Sequence, residues 1–270
     1  MIPFYHKDIR LTIDPALIEF YDKELYRKIT DFMEYVIELI KDNESRKARG
    51  LINFPEVNEI RLGYSEVDNY GKGNGDEYNE RIFGRICKNL EIFDRKEKRI
   101  EALYWLIEGL AHDRLSDIIA NILKDYLIKY TQQRSKTHNI PMERVTIKNI
   151  FDFNKKIWID EKVFLPLNQH PAFRDQGILF VPKNFLRTLP YFNFEGLKRL
   201  CRRAIRESEK RTKKTERKYT KKAEAIAIIQ ERPEYIDKYI KKKKSLKYQE
   251  RYPLTPYDVD NDPKGLLKDC

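Results

Sequence analysis

Apolar side chains recur at intervals of three and four residues along two long stretches of this chain. Leu25, Ile29, Phe32, Met33, Val36, Ile37 and Ile40 form the first set; Leu115, Ile118, Ile119, Ile122, Leu123, Tyr126, Leu127 and Tyr130 form the second. That spacing gathers each set on one side of an α-helix, and such a side must be buried. The fold must therefore pack these helices around a common core. Glycines number only 10 in 270 residues and charged residues reach 36%, which favours helices over a turn-rich β architecture. The expected class is α+β: a helix-dominated core with a small antiparallel sheet and a basic helical C-terminal region.

Local signals set the element boundaries. Asp14-Pro15 supplies an N-cap followed by proline at the first helical position, so a first helix is expected from there to Asp42. Glu59–Leu62 reads as a short strand. Residues 63–75 hold four glycines and read as a loop. Helices are expected from Asp76 to Ile92 and from Lys96 to Leu110. A single long helix should run from Asp113 to Gln133. Three strands, Val145–Phe151, Ile157–Leu165 and Gly177–Val181, are bounded by Pro166, Pro171 and Pro182. A basic helix from Asn193 to Lys222 precedes two more, Ala223–Glu231 and Glu234–Lys243, separated by Pro233. These readings divide the chain into a core domain over 1–190 that carries the candidate site, a basic helical region over 191–246 and an extended tail over 247–270.

The formal net charge is +11, and its distribution is uneven. Residues 198–222 contain 13 Lys and Arg against three Glu, a net of +10. Charge concentrated in this way attracts a polyanion through counterion release, irrespective of base sequence. DNA or RNA is the expected partner, with Arg202, Arg203, Arg206, Lys213 and Lys214 on its phosphates. Tyr219 is the one aromatic residue in the run, so stacking on bases is not expected from it. Cys87, Cys201 and Cys270 are widely separated and odd in number, which suits neither a disulfide framework nor a zinc knuckle. The first residues lack the apolar core of a signal peptide, and no apolar run approaches a membrane span. A cytoplasmic protein without a membrane partner is expected.

Asp113, Asp117, Asn121 and Asp125 are four residues apart and would form one polar ridge on an otherwise apolar helix. Stacked carboxylates repel unless a cation lies between them. Mg²⁺ or Mn²⁺ held by Asp113 and Asp117, with Glu108 as a further ligand or base, would relieve the repulsion and support phosphodiester cleavage. The alternatives are that Asp113 caps the helix while Asp117 favours the positive end of its dipole, or that the ridge is a buried polar network. Lys72, in the glycine-rich loop, and Arg114 are candidates for phosphate contact. The loop lacks the Lys-Ser/Thr order of a Walker motif. Asp160-Glu161-Lys162 matches the Asp-x-Lys half-motif of restriction-type nucleases, in which lysine positions the attacking water. His6, His112, His138 and His170 show no metal-ligand spacing.

Several blocks of this sequence also resemble segments of poorly characterised bacterial proteins of antiphage defence. They are Gly63-Tyr64-Ser65 with Gly71-Lys72-Gly73-Asn74-Gly75, Asp113-Arg114-Leu115-Ser116-Asp117 to Asn121, Tyr130-Thr131-Gln132 and Phe180-Val181-Pro182-Lys183. The resemblance spans residues 60–190 and implies a nuclease-like effector, a phosphodiesterase in a multi-component defence system. Two further readings stand beside it: a non-catalytic nucleic-acid-binding subunit of a multi-protein complex, or an interaction protein docking on an acidic partner. The tail over 247–270 has no apolar periodicity, which suits a protein partner or an oligomer.

Overall fold

One buried carboxylate organises the start of the chain. The computed structural model describes residues 11–60, 62, 75–94, 99–107, 112–168, 176–187, 191–192, 194, 196–199, 201 and 221–245. In it, Asp14 caps α1 (Pro15–Tyr21) by accepting the Ala16 N–H at 3.0 Å, with Pro15 at the first helical position as expected. Its other carboxylate oxygen accepts the Tyr191 N–H at 2.9 Å and lies 3.6 Å from the Arg187 guanidinium. The Asp14 N–H in turn donates to the Phe185 carbonyl at 2.9 Å. One side chain thus fixes a helix start and the return of the chain 177 positions later. Beside it, β1 (Thr12–Ile13) pairs antiparallel with β4 (Leu186–Arg187), with Thr12 opposite Arg187.

Polar residues divide the expected long helices. The first ends at Asp22, whose side chain accepts the Leu25 N–H at 2.9 Å and starts α2 (Lys23–Lys41) afresh. After α3 (Ser45–Leu51), α4 (Gly75–Lys88) stops at Asn89, which donates back to the Arg85 carbonyl at 2.7 Å. The short α5 (Leu90–Phe93) and α6 (Arg99–Leu106) follow. The helix expected over 113–133 is two, α7 (His112–Ile122) and α8 (Lys124–Thr137). Hydrogen bonds continue through the junction, from the Leu123 N–H to Ile119 and from the Leu127 N–H to Leu123, so the junction is a kink.

The predicted antiparallel strands form a hairpin of β2 (Glu143–Asp152) and β3 (Ile157–Leu165), with a bulge between Ile147 and Ile150. Near its turn, Phe151 and Trp158 pack against Phe32 of α2, at ring centroid distances of 4.7 and 5.7 Å. The Trp158 indole N–H donates to the Leu51 carbonyl at 3.1 Å, which joins the hairpin to the end of α3. Two expected strands do not form as strands among the described residues. Residues 58–60 form a turn and Leu62 a lone bridge position, and 177–181 contribute one isolated bridge, Gly177 to Leu167. The reason is that the backbone of 177–181 is satisfied piecemeal: the Leu179 N–H donates to Glu59 and the Phe180 N–H to the Thr131 hydroxyl. At Gly177 a Cβ would lie 3.0 Å from the side chains of Leu165 and Val145 on the covered face of the hairpin, so a larger residue would have to displace them.

At the C-terminal end, α9 (Lys221–Glu231) and α10 (Glu234–Ser245) match the two helices expected around Pro233. Tyr239 packs 5.6 Å from Trp105 and 6.0 Å from Phe192, while the Tyr191 hydroxyl donates to the Lys243 carbonyl at 2.9 Å. The Gln230 amide donates to Asn89 at 2.6 Å. These helices therefore pack onto α5 and α6. Of the expected basic helix, 194, 196–199 and 201 are helical; 202–220 lie outside the described residues, as do 63–74 and 246–270. Among the described residues no helix is long and apolar enough to cross a membrane.

Asp14→Ala removes a cap and leaves the buried Tyr191 N–H without its acceptor, so unfolding free energy should fall by about 3 kcal/mol. Asp14→Asn keeps an acceptor oxygen and should lose less. Urea denaturation followed by circular dichroism measures both.

Candidate functional site

Residues 52–57 link α3 to the turn at 58–60 without forming helix or strand, yet Ile52, Phe54 and Val57 are buried. A buried irregular segment needs external partners for its backbone groups. The polar positions of α7 provide them. Asn121 donates its side-chain amide to the Pro55 carbonyl at 2.6 Å and to the Asp117 carbonyl at 2.9 Å. Asp117 accepts the Val57 N–H at 3.5 Å. Ser116 accepts the Ile13 N–H at 3.0 Å, which secures β1.

Lys124, the first residue after the kink, continues this network inward. It is 2% exposed, and its ammonium donates to the Asn121 side-chain oxygen at 3.2 Å and to the Lys148 carbonyl at 2.9 Å. Lys148 and Asn149 are the bulge residues, so their shared peptide is outside the regular ladder. On the other side of that peptide, Asp160 accepts the Asn149 N–H at 3.1 Å. The peptide is held between an ammonium and a carboxylate. Asn149 has a φ of 54°, a left-handed conformation that asparagine tolerates better than most residues. Burial holds the Lys124 amine below the ordinary lysine range; the charges of Glu59, Asp117 and Asp160 act in the opposite direction.

The predicted site residues can be placed against this geometry. Asp113 is the second residue of α7, one turn before Asp117. Asp117 is in the buried network just described. Asp125 is directed elsewhere and pairs with Lys129 at 2.9 Å, so the expected fourth rung of the ridge is not aligned with the others. Arg114 is exposed, with its guanidinium 5.5 Å from the centroid of the Tyr78 ring on α4. Glu108, Lys72, Arg202, Arg203, Arg206, Lys213 and Lys214 lie outside the described residues. Among the described residues no group of three or more His, Cys, Asp or Glu is arranged to hold a metal ion. Asp160, of the Asp-x-Lys half-motif, closes the bulge, whereas Glu161 and Lys162 are exposed. Cys201 is buried, and burial pushes its thiol up to about 11, which makes it a poor nucleophile.

Sequence reasoning missed Lys124. Its signal was present: a lysine three residues after Asn121, inside the apolar run Ile122, Leu123, Leu127, Ile128. A cation there must be either out of register or paired from within.

Lys124→Met leaves the Lys148 carbonyl and the Asn121 oxygen without a donor and should cost about 1–3 kcal/mol of stability. Because the folded amine loses its proton below the unfolded one, the unfolded chain binds more protons as pH rises towards 10.5. Wild type therefore gains stability relative to Lys124→Met across that window, and denaturation at several alkaline pH values should show the gap widening.

A family described as a domain of unknown function (DUF8370) matches residues 1–193, and the chain belongs to that family. No curated protein and no solved structure matches the chain. The matched residues include α1–α8 and both sheets, with the whole buried network; the basic run over 198–222, α9 and α10 follow it.

Proposed function

We propose that this DUF8370 member is a cytoplasmic nucleic-acid-binding protein that grips the phosphate backbone of DNA or RNA as a subunit of a larger assembly. The observation that carries the reading is the net charge of +10 over residues 198–222, nearly the whole +11 of the chain. A cluster of this density gains affinity from released counterions and needs no base contact to do so. Arg202, Arg203, Arg206, Lys213 and Lys214 contact phosphates, with Lys72 and Arg114 as additional contacts from the core domain.

The ridge on α7 has a structural role in this reading. Lys124 already provides a positive charge beside Asp117, and Asn121 is committed to the Pro55 backbone. A second reading keeps the ridge catalytic: Asp113 and Asp117 stand one turn apart on α7, the spacing at which two carboxylates can share Mg²⁺ or Mn²⁺. It makes the protein a metal-dependent nuclease or nuclease-like effector of antiphage defence, with Glu108 as the assisting acid.

Binding to a labelled duplex should fall steeply with salt. Replacing Arg202, Arg203, Arg206, Lys213 and Lys214 by glutamine should reduce the slope of log K against log salt by about 4.5, at roughly 0.9 per lost phosphate contact. Binding that is indifferent to salt would remove the reading. Product formed only with Mg²⁺ or Mn²⁺, and lost in a folded Asp117→Asn variant, would establish the nuclease instead.

A further inference from the structure

The solvent face of the hairpin carries a second set of basic residues, and an aromatic ring stands among them. Arg144 is opposite Phe164, and Thr146 is opposite Lys162, in the β2–β3 register. Alternation along a strand puts Arg144 and Thr146 on the same face as Lys162 and Phe164. All four are exposed, whereas Val145, Ile147, Val163 and Leu165, on the opposite face, are buried or half-buried. Phe164 is 54% exposed, the largest value among the exposed large hydrophobic residues. A phenyl ring left in water near the end of a strand gains nothing for the fold. Its backbone is nonetheless fixed, because the Gln132 amide of α8 donates to the Phe164 carbonyl at 3.2 Å. One turn beyond Gln132 on the same helix side is Lys136, also exposed.

Charge on this face is unbalanced. Arg144 and Lys162 on it are exposed and form no ion pair among the described residues, and neither do the exposed Lys148 of the bulge and Lys136 of α8. The acid on the face, Asp160, spends a carboxylate oxygen on the Asn149 N–H of the bulge. Directly opposed residues of an antiparallel pair stand about 5 Å apart at Cβ. Phe164 thus shares its exposed face with Arg144, directly opposite on the neighbouring strand, and with Lys162, two residues along its own.

We infer that this hairpin face is a binding site for single-stranded nucleic acid, with an unpaired base stacked on Phe164 and adjacent phosphates held by Arg144, Lys162 and Lys136. The inference rests on the nucleic-acid reading above and adds what the basic run over 198–222 lacks, an exposed platform for a base. A ring can stack on any base, but only one that is not already stacked in a duplex. The face therefore distinguishes single strands from duplex, while the basic run retains either.

The test uses the full chain with fluorescent oligo(dT), oligo(rU) and a duplex DNA of equal length. Phe164→Ala should weaken binding of the single strands by about fivefold to a hundredfold and leave the duplex and the melting temperature unchanged. Phe164→Trp should restore it. Arg144→Ala and Lys162→Ala should each reduce the salt slope for single strands by about 0.7. Equal loss for the two single strands identifies unpaired bases as the ligand, and loss for one alone adds a choice of sugar. If wild type binds single strands and Phe164→Ala binds them equally well, the site is overturned and the wider reading stands. If wild type binds no oligonucleotide, both fall. If the three variants instead lose binding to polyglutamate while oligonucleotide binding is untouched, the face belongs to an acidic protein partner and the inference is overturned.

Discussion

The peptide between Lys148 and Asn149 is where the start of α8 and the hairpin are joined. Its carbonyl accepts from the buried Lys124 ammonium and its N–H donates to Asp160. A bulge leaves both groups without ladder partners; the part-buried carbonyl would cost about 1–3 kcal/mol if unmet, whereas the N–H to Asp160 bond is exposed. Satisfying them joins the kink between α7 and α8 to the hairpin. Asn121 and Asp117 extend the same network to Pro55 and Val57, so an irregular segment with no ladder of its own becomes part of the core. A lysine placed this deep is unfavourable alone; its two acceptors and the charges of Glu59, Asp117 and Asp160 offset part of the burial that still holds its amine below the ordinary lysine range.

This network changes what the acidic ridge means. Carboxylates stacked along a helix call for positive charge, and from sequence a divalent ion is a natural supplier. Here Lys124, at the start of α8, also acts electrostatically on Asp117. In the proposed reading, phosphate recognition falls to the basic run and to the hairpin cations, which differ in chemistry. The run over 198–222 has one aromatic residue, Tyr219, and suits backbone contact; the hairpin exposes Phe164 on the face that carries Arg144 and Lys162, and is proposed to take an unpaired base.

Much of the fold was legible because its signals are local. Asp14-Pro15 encodes a cap, apolar residues at three and four encode α2, α7 and α8, and β-branched and aromatic alternation encodes the hairpin. What was not legible depends on distant partners. Asp22, Asn89 and Leu123 end helices through side-chain bonds or a kink that hydrophobic periodicity does not register. Residues 177–181 look like a strand, yet Glu59 and Thr131 take their backbone groups one at a time. At the site, Asp117 and Asn121 stood out as polar residues on an apolar helix, but their partners Val57 and Pro55 are more than 55 positions away in sequence. The exposure of Phe164 could not be foreseen either, since alternation says which residues share a face and not which face is covered.

The proposal that Asp117 belongs to the chain's own buried network and not to a metal site is tested most directly by thermal unfolding of wild type and Asp117→Asn with and without millimolar Mg²⁺ or Mn²⁺. The account predicts that neither ion moves the melting temperature of wild type and that Asp117→Asn lowers it by the same amount in either condition. An ion bound at a hundredfold excess over its dissociation constant would add about 2.7 kcal/mol to stability. A rise of that size in wild type, lost in Asp117→Asn, would contradict it.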